Sequence, residues 1–63
     1  MIITMNNGDK FLVDEDIQDD FIDCLDDDWI FSDCRPYNKI EDDWYAATRH
    51  VWFNKSNISS IES

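Results

Sequence analysis

Asp14-Glu15-Asp16-Ile17-Gln18-Asp19-Asp20-Phe21-Ile22-Asp23-Cys24-Leu25-Asp26-Asp27-Asp28 is the stretch that decides the fold. Nine of its fifteen residues are acidic and none is basic. Ile17, Phe21, Cys24 and Leu25 fall at i, i+4, i+7 and i+8, which is one face of an α-helix. Asp16, Asp19, Asp20, Asp23, Asp26 and Asp27 cover the rest of the cylinder. The spacing predicts an amphipathic helix over residues 14–28. Asp14 is a good N-cap, and Glu15 and Asp16 complement the helix dipole. The other end is poorly matched, because Asp26, Asp27 and Asp28 sit where the dipole favours cations. Asp16/Asp20, Asp19/Asp23 and Asp23/Asp27 are like charges at i, i+4, each costing about 0.2–0.5 kcal/mol. A helix shaped only for solubility would mix Lys with Glu.

On the N-terminal side, Met1-Ile2-Ile3-Thr4-Met5 reads as a strand. Asn6-Asn7-Gly8-Asp9 is a hairpin signal, and Asn-Gly suits a type I′ turn. Lys10-Phe11-Leu12-Val13 is the return strand, with Ile3 and Met5 on one face opposite Phe11 and Val13. On the C-terminal side, Trp29-Ile30-Phe31 reads as a short strand. Ser32 to Asp43, with Pro36, Asn38 and its charges, reads as a long loop. Trp44–Thr48 and His50–Phe53 are strand-like, and Asn54–Asn57 is a polar turn. Ile58–Glu62 is a final strand or a single helical turn; five residues fit either period. The order is β-β-α-β-β-β in outline: an α+β domain with one acidic helix packed on a small antiparallel sheet.

The chain of 63 residues is one domain, and such a length buries only about 60% of its unfolded surface. It is 43% hydrophobic, with three Trp, four Phe and two Tyr, which is too apolar for a disordered acidic tail. One helix covers only one face of a sheet, so part of this aromatic load faces water unless a homodimer buries it. A monomer would instead curl the sheet into a small barrel with the aromatics inside.

A formal net charge of −10 repels phosphate, which argues against direct binding to nucleic acid or to an anionic membrane. The expected partner is the basic surface of another protein. The opening residues carry no basic n-region and no long apolar run, so neither a signal peptide nor a transmembrane segment is expected. That points to the cytoplasm and to reduced Cys24 and Cys34. Cys24, on the apolar helix face, reads as a small buried hydrophobe. Neither a metal site nor a cofactor is expected. The two cysteines and one histidine lack zinc spacing, and Gly8, the only glycine, precedes the acidic run, where an EF-hand needs one inside it. His50, the single imidazole, has no orienting partner in the sequence, and no catalytic residue is assigned.

The Asn-Gly turn, the acidic helix and the closing Val51-Trp52-Phe53-Asn54 … Asn57-Ile58-Ser59-Ser60-Ile61-Glu62 resemble small uncharacterised proteins of Gram-positive phages and mobile elements. The resemblance implies such an origin; the group carries no shared activity.

Charge density supplies the functional reading. A helix over residues 14–28 would span about 21 Å and carry nine charges, one per about 2.3 Å. Duplex DNA carries one per about 1.7 Å. A groove built for DNA could accept it, with Asp16, Asp19, Asp20, Asp23, Asp26 and Asp27 in contact and Asp42 and Asp43 extending the patch. This reading makes the chain an inhibitor of a host nucleic-acid-binding protein. Two others stand beside it. The acids can be a solubility face, or the chain can be an assembly module whose interface is Trp29, Trp44 and Trp52.

Overall fold

The apolar start and the Asn-Gly turn form the expected hairpin. In the computed structural model, which describes residues 1–62, β1 (Ile2–Met5) pairs antiparallel with β2 (Lys10–Leu12). Ile3 stands opposite Phe11; Ile3 and Val13 are buried, and Met5 and Phe11 pack against them. The turn differs in type. Gly8 has φ +92°, but Asn7 keeps a negative φ. Met5 N–H donates to the Asp9 carbonyl at 2.8 Å, and Gly8 N–H to the Met5 carbonyl at 2.9 Å. This is a three-residue loop closed by a left-handed glycine, not a type I′ turn. The Asn7 amide exchanges hydrogen bonds with the Asp9 backbone N–H and carboxylate, fixing this loop geometry.

The acidic segment is helical for a shorter distance than its periodicity suggests. Helix α1 spans Glu15–Asp23 and tightens into a 3₁₀ turn at Cys24–Asp26. Asp27 N–H donates to the Cys24 carbonyl at 3.0 Å, and the chain then leaves the helix axis. The cause is electrostatic: no base stands in the last turn, and carboxylates meet the negative end of the dipole. Phe21 is buried, while Ile17, Cys24 and Leu25 are partly covered. Cys24 is therefore half-buried, not the buried thiol expected. Asp14 holds the N-cap position with extended backbone, but its side chain caps no N–H. Instead its Oδ1 accepts from Arg35 Nη2 at 3.2 Å.

The largest departure lies beyond the helix. Ser32–Asp43 is not a loop: β3 runs Trp29–Asn38, straight through Pro36. Four strands follow the helix, since β4 (Asp43–Trp44) and β5 (Arg49–Asn54) both return antiparallel along β3, and β6 is Ile58–Glu62. Between the pairs Tyr37/Trp44 and Cys34/Arg49, four residues of the return chain face two of β3, which makes a large bulge. That bulge is why proline is tolerated. In an antiparallel strand a residue's N–H and C=O point to the same edge. The Pro36 carbonyl accepts from Tyr45 N–H at 2.9 Å, so its missing donor also faces the bulge, where no ladder bond is required.

The strands run in the order β4-β3-β2-β1-β6, with β5 also on β3. The last five-residue segment is a strand; it pairs with β1, Ile61 opposite Ile3, with a bulge between Thr4 and Met5. The 3₁₀ turn Lys55–Asn57 ties the two ends of the sheet together. Lys55 N–H donates to the Asp28 carbonyl at 2.9 Å, and the Asn57 carbonyl accepts from Asn6 N–H at 2.8 Å. The buried core among the described residues is Met1, Ile3, Val13, Phe21, Ile30, Cys34 and Phe53. The Phe53 ring meets Phe11 edge-on at 5.2 Å and Phe21 at 5.6 Å. Not all aromatics are enclosed: Trp29, Phe31 and Trp52 remain on the outside, each more than half exposed. No helix among the described residues is long and apolar enough to cross a membrane.

Phe53→Ala would cost about 3–5 kcal/mol, enough to unfold much of a domain this small. Trp52→Ala, one residue away on the outer face, would cost less than about 1 kcal/mol. Urea denaturation of the two variants measures the contrast.

Candidate functional site

Two surfaces of α1 and β3 carry the chemistry. The first is the acidic stripe. At 100° per residue, Asp16, Asp19, Asp20 and Asp23 fall within one sector beside the buried line of Ile17, Phe21 and Cys24. All four are exposed, as are Asp26 in the 3₁₀ turn and Asp27 after it. Among the described residues, no lysine or arginine pairs with any of the six. The shorter helix lowers the charge density. From Glu15 to Asp26 the segment spans about 20 Å and carries six carboxylates, about half the charge per length of duplex DNA. Asp14, the one acid of the run with a cationic partner, is held by Arg35.

Asp42 and Asp43 sit elsewhere. Asp42 lies in the β3–β4 turn and Asp43 opens β4 opposite Asn38, on the other edge of β3 from β2. Asp42 has φ +54°, a left-handed conformation that Asp tolerates better than most residues. Its carboxylate accepts from the Tyr37 hydroxyl, and the Asn38 side chain accepts from Ile40 N–H at 3.0 Å, so the turn is locally built. The pair flanks β3 from the side opposite the helix and does not lengthen the stripe.

The second surface is the outer face of β3 and β5. Alternation along the two strands sends Ile30, Cys34 and Phe53 inward and Trp29, Phe31, Asp33, His50 and Trp52 outward. Phe31 pairs across the ladder with Trp52, ring centroids 4.9 Å apart, and stacks on His50 at 5.6 Å. His50 has the orienting partner that its sequence context did not reveal: Asp33 stands directly opposite, and its carboxylate contacts Nδ1. Both groups are exposed. Trp44 does not belong to this face; it packs half-buried on Tyr37 at the β4 end.

The two surfaces share a border. A cleft of about 230 Å³ runs between α1 and β3, lined by Ile17, Asp20, Phe21 and Cys24 on one side and Ile30, Phe31, Ser32 and Asp33 on the other. β2 pairs with β3 only as far as Leu12, opposite Arg35, so the first half of β3 has no strand partner on that edge, and α1 borders it across the cleft. Helix periodicity identifies Asp20 as the acid nearest the buried line. Nothing in the sequence brings Asp33 and Phe31 to it, because those residues read as a strand end and a loop.

Cys24 and Cys34 are both free thiols. Burial, assisted by the Asp33 carboxylate, pushes the Cys34 thiol up to about 11, with Arg49 pulling the other way. Among the described residues, no group of three or more His, Cys, Asp or Glu could hold a metal ion.

No protein-family model matches the chain, and no curated protein and no solved structure matches it.

The Cys34 thiol titrates from about 9 in the unfolded chain and about 11 in the folded one. A neutral thiol therefore favours the native state: this contribution is complete below pH 9 and is lost as pH rises to about 11. Stability of the native chain should fall more across that window than that of Cys34→Ala, whose absolute stability is lower. Denaturation curves at stepped pH for the two chains test this.

Proposed function

We propose that this chain acts by binding a protein. The carboxylate stripe of α1 occupies a basic, nucleic-acid-binding surface of another protein, such as a nuclease, a repair enzyme or a transcription factor, and keeps nucleic acid off it. The supporting observation is the stripe itself: Asp16, Asp19, Asp20 and Asp23, continued by Asp26 and Asp27, all exposed and none neutralised by a lysine or arginine among the described residues. Crowding these charges costs stability and truncates the helix, so selection for solubility alone would have mixed in bases. The aspartate stems are short, which holds the charges in a defined array. The phage or mobile-element origin that the sequence resemblance implies fits a protein made to disable a host factor in the cytoplasm.

The second reading, an assembly module, is favoured by a different observation. Trp29, Phe31 and Trp52 are 54%, 53% and 63% exposed on one sheet face, a common mark of an interface. In that case the acids serve only to keep the chain dissolved.

Replacing Asp16, Asp19, Asp20 and Asp23 by Asn, one after another, separates the readings. Partner affinity should fall stepwise, and the fold should gain about 0.2–0.5 kcal/mol for each like-charge pair removed. Affinity of the unmodified chain should drop at least tenfold between about 0.05 and 0.2 M salt. Affinity flat across salt, or a partner retained by the full Asn series, sinks the mimic and leaves the assembly module. Calorimetric titration at several salt concentrations gives both readouts.

A further inference from the structure

The aromatic outer face of β3 and β5 is bordered by carboxylates. Asp33 stands beside Phe31 on the same strand face, with one carboxylate oxygen on His50 and the other free to accept, and Asp20 faces both from the helix side of the α1–β3 cleft, away from the His50 ring. Asp28 precedes Trp29 at the other end, where Lys55 supplies the nearby cation. An exposed aromatic face with two carboxylates along its cleft side fits one side-chain type better than any other. The arginine guanidinium is planar, weakly hydrated, stacks on aromatic rings and donates to two carboxylates through its N–H fork. Lysine has the charge but is a strongly hydrated point with no plane to stack. A second copy of this chain, at net charge −10, would bring its own carboxylates against these.

We propose that the Phe31–Trp52 face with its adjoining cleft is a docking surface for arginine side chains of a basic protein segment. One guanidinium lies between Asp20 and Asp33 against the Phe31 ring, its methylene stem along Ile17. A second stacks on Trp52. This deepens the reading in which α1 meets a basic surface, and it rests on that reading: the stripe supplies the attraction, and the aromatic face selects arginine over lysine. It also gives the exposed tryptophans a role without a second class of partner.

The test uses the full chain and two probes, a short peptide of alternating arginine and serine and its lysine counterpart of equal length. Binding is measured by tryptophan fluorescence and by NMR of the indole N–H signals. Cation–π contacts at exposed sites predict an affinity for the arginine peptide about fivefold or more above that for the lysine peptide. The Trp52 indole signal should shift, and the Trp44 signal should stay. Phe31→Ala/Trp52→Ala should abolish the preference while keeping the salt-dependent affinity that both peptides share; circular dichroism confirms that the variant folds. The preference can also be read on the unmodified chain, should the variant unfold.

Equal affinity for both peptides, with no Trp52 shift, overturns the arginine surface but leaves the acidic-stripe reading standing. No binding of either peptide overturns both. Sedimentation at the same concentrations must give the mass of one chain. A dimer that the Trp52→Ala variant dissolves would show that a second copy covers this face, and would overturn the proposal.

Discussion

The edge-to-face contacts of Phe53 with Phe11 and Phe21 hold this molecule together. They join β5, β2 and α1, three elements that do not pair with one another directly. Each ring presents its positive edge to a negative face, so the contacts add specific geometry to the burial of large apolar area. A chain of this length has few other sources of stability. Among the described residues both cysteines are free, Asp14–Arg35 is an exposed ion pair of little worth, and the buried core is seven residues. Ile30 and Cys34 on β3 and Ile3 and Val13 from the hairpin close around the rings, and the Lys55–Asn57 turn ties the strand ends over them.

Against that core works the charge of the helix. Nine carboxylates in fifteen residues cannot be stacked without consequence: the α-helix stops at Asp23, tightens through a 3₁₀ turn and releases the remaining acids into an extended segment. A mixed Lys/Glu sequence would have lengthened the helix. Natural sequences break local rules of this kind chiefly where function requires it. The breach lies in the stripe that faces solvent, while the opposite face of the same helix obeys every rule of apolar spacing.

The neighbourhood of the stripe follows from strand lengths. Because β2 pairs with β3 only at Arg35 and Pro36, the first half of β3 is left for the helix on that side and for β5 on the ladder side. Carboxylates and exposed aromatics therefore meet along one line, with Asp20 on one bank and Phe31 and Asp33 on the other. Acids alone attract any cation at a distance; rings beside them discriminate among cations at contact. The adjacency makes the two functional readings compatible within one surface.

Short-range chemistry is legible in the chain itself. Apolar spacing in residues 14–28 determines a helix and its buried line, Asn7-Gly8 determines a hairpin, and Ile3, Met5, Phe11 and Val13 determine which face of it packs. The exposed positions of Asp16, Asp19, Asp20, Asp23, Asp26 and Asp27 follow from the same spacing. Tertiary structure alone decided the rest. Pro36 marks a loop by local preference, and only the bulge in the opposing chain makes it a strand residue, because the donor it lacks has nothing to meet there. The pairing of His50 with Asp33, the tilted contact of Phe31 with Trp52 and the cleft that joins them to Asp20 all depend on that same long strand. Each contact spans a sequence separation over which periodicity carries no signal, so it exists only once β3 has found its partners.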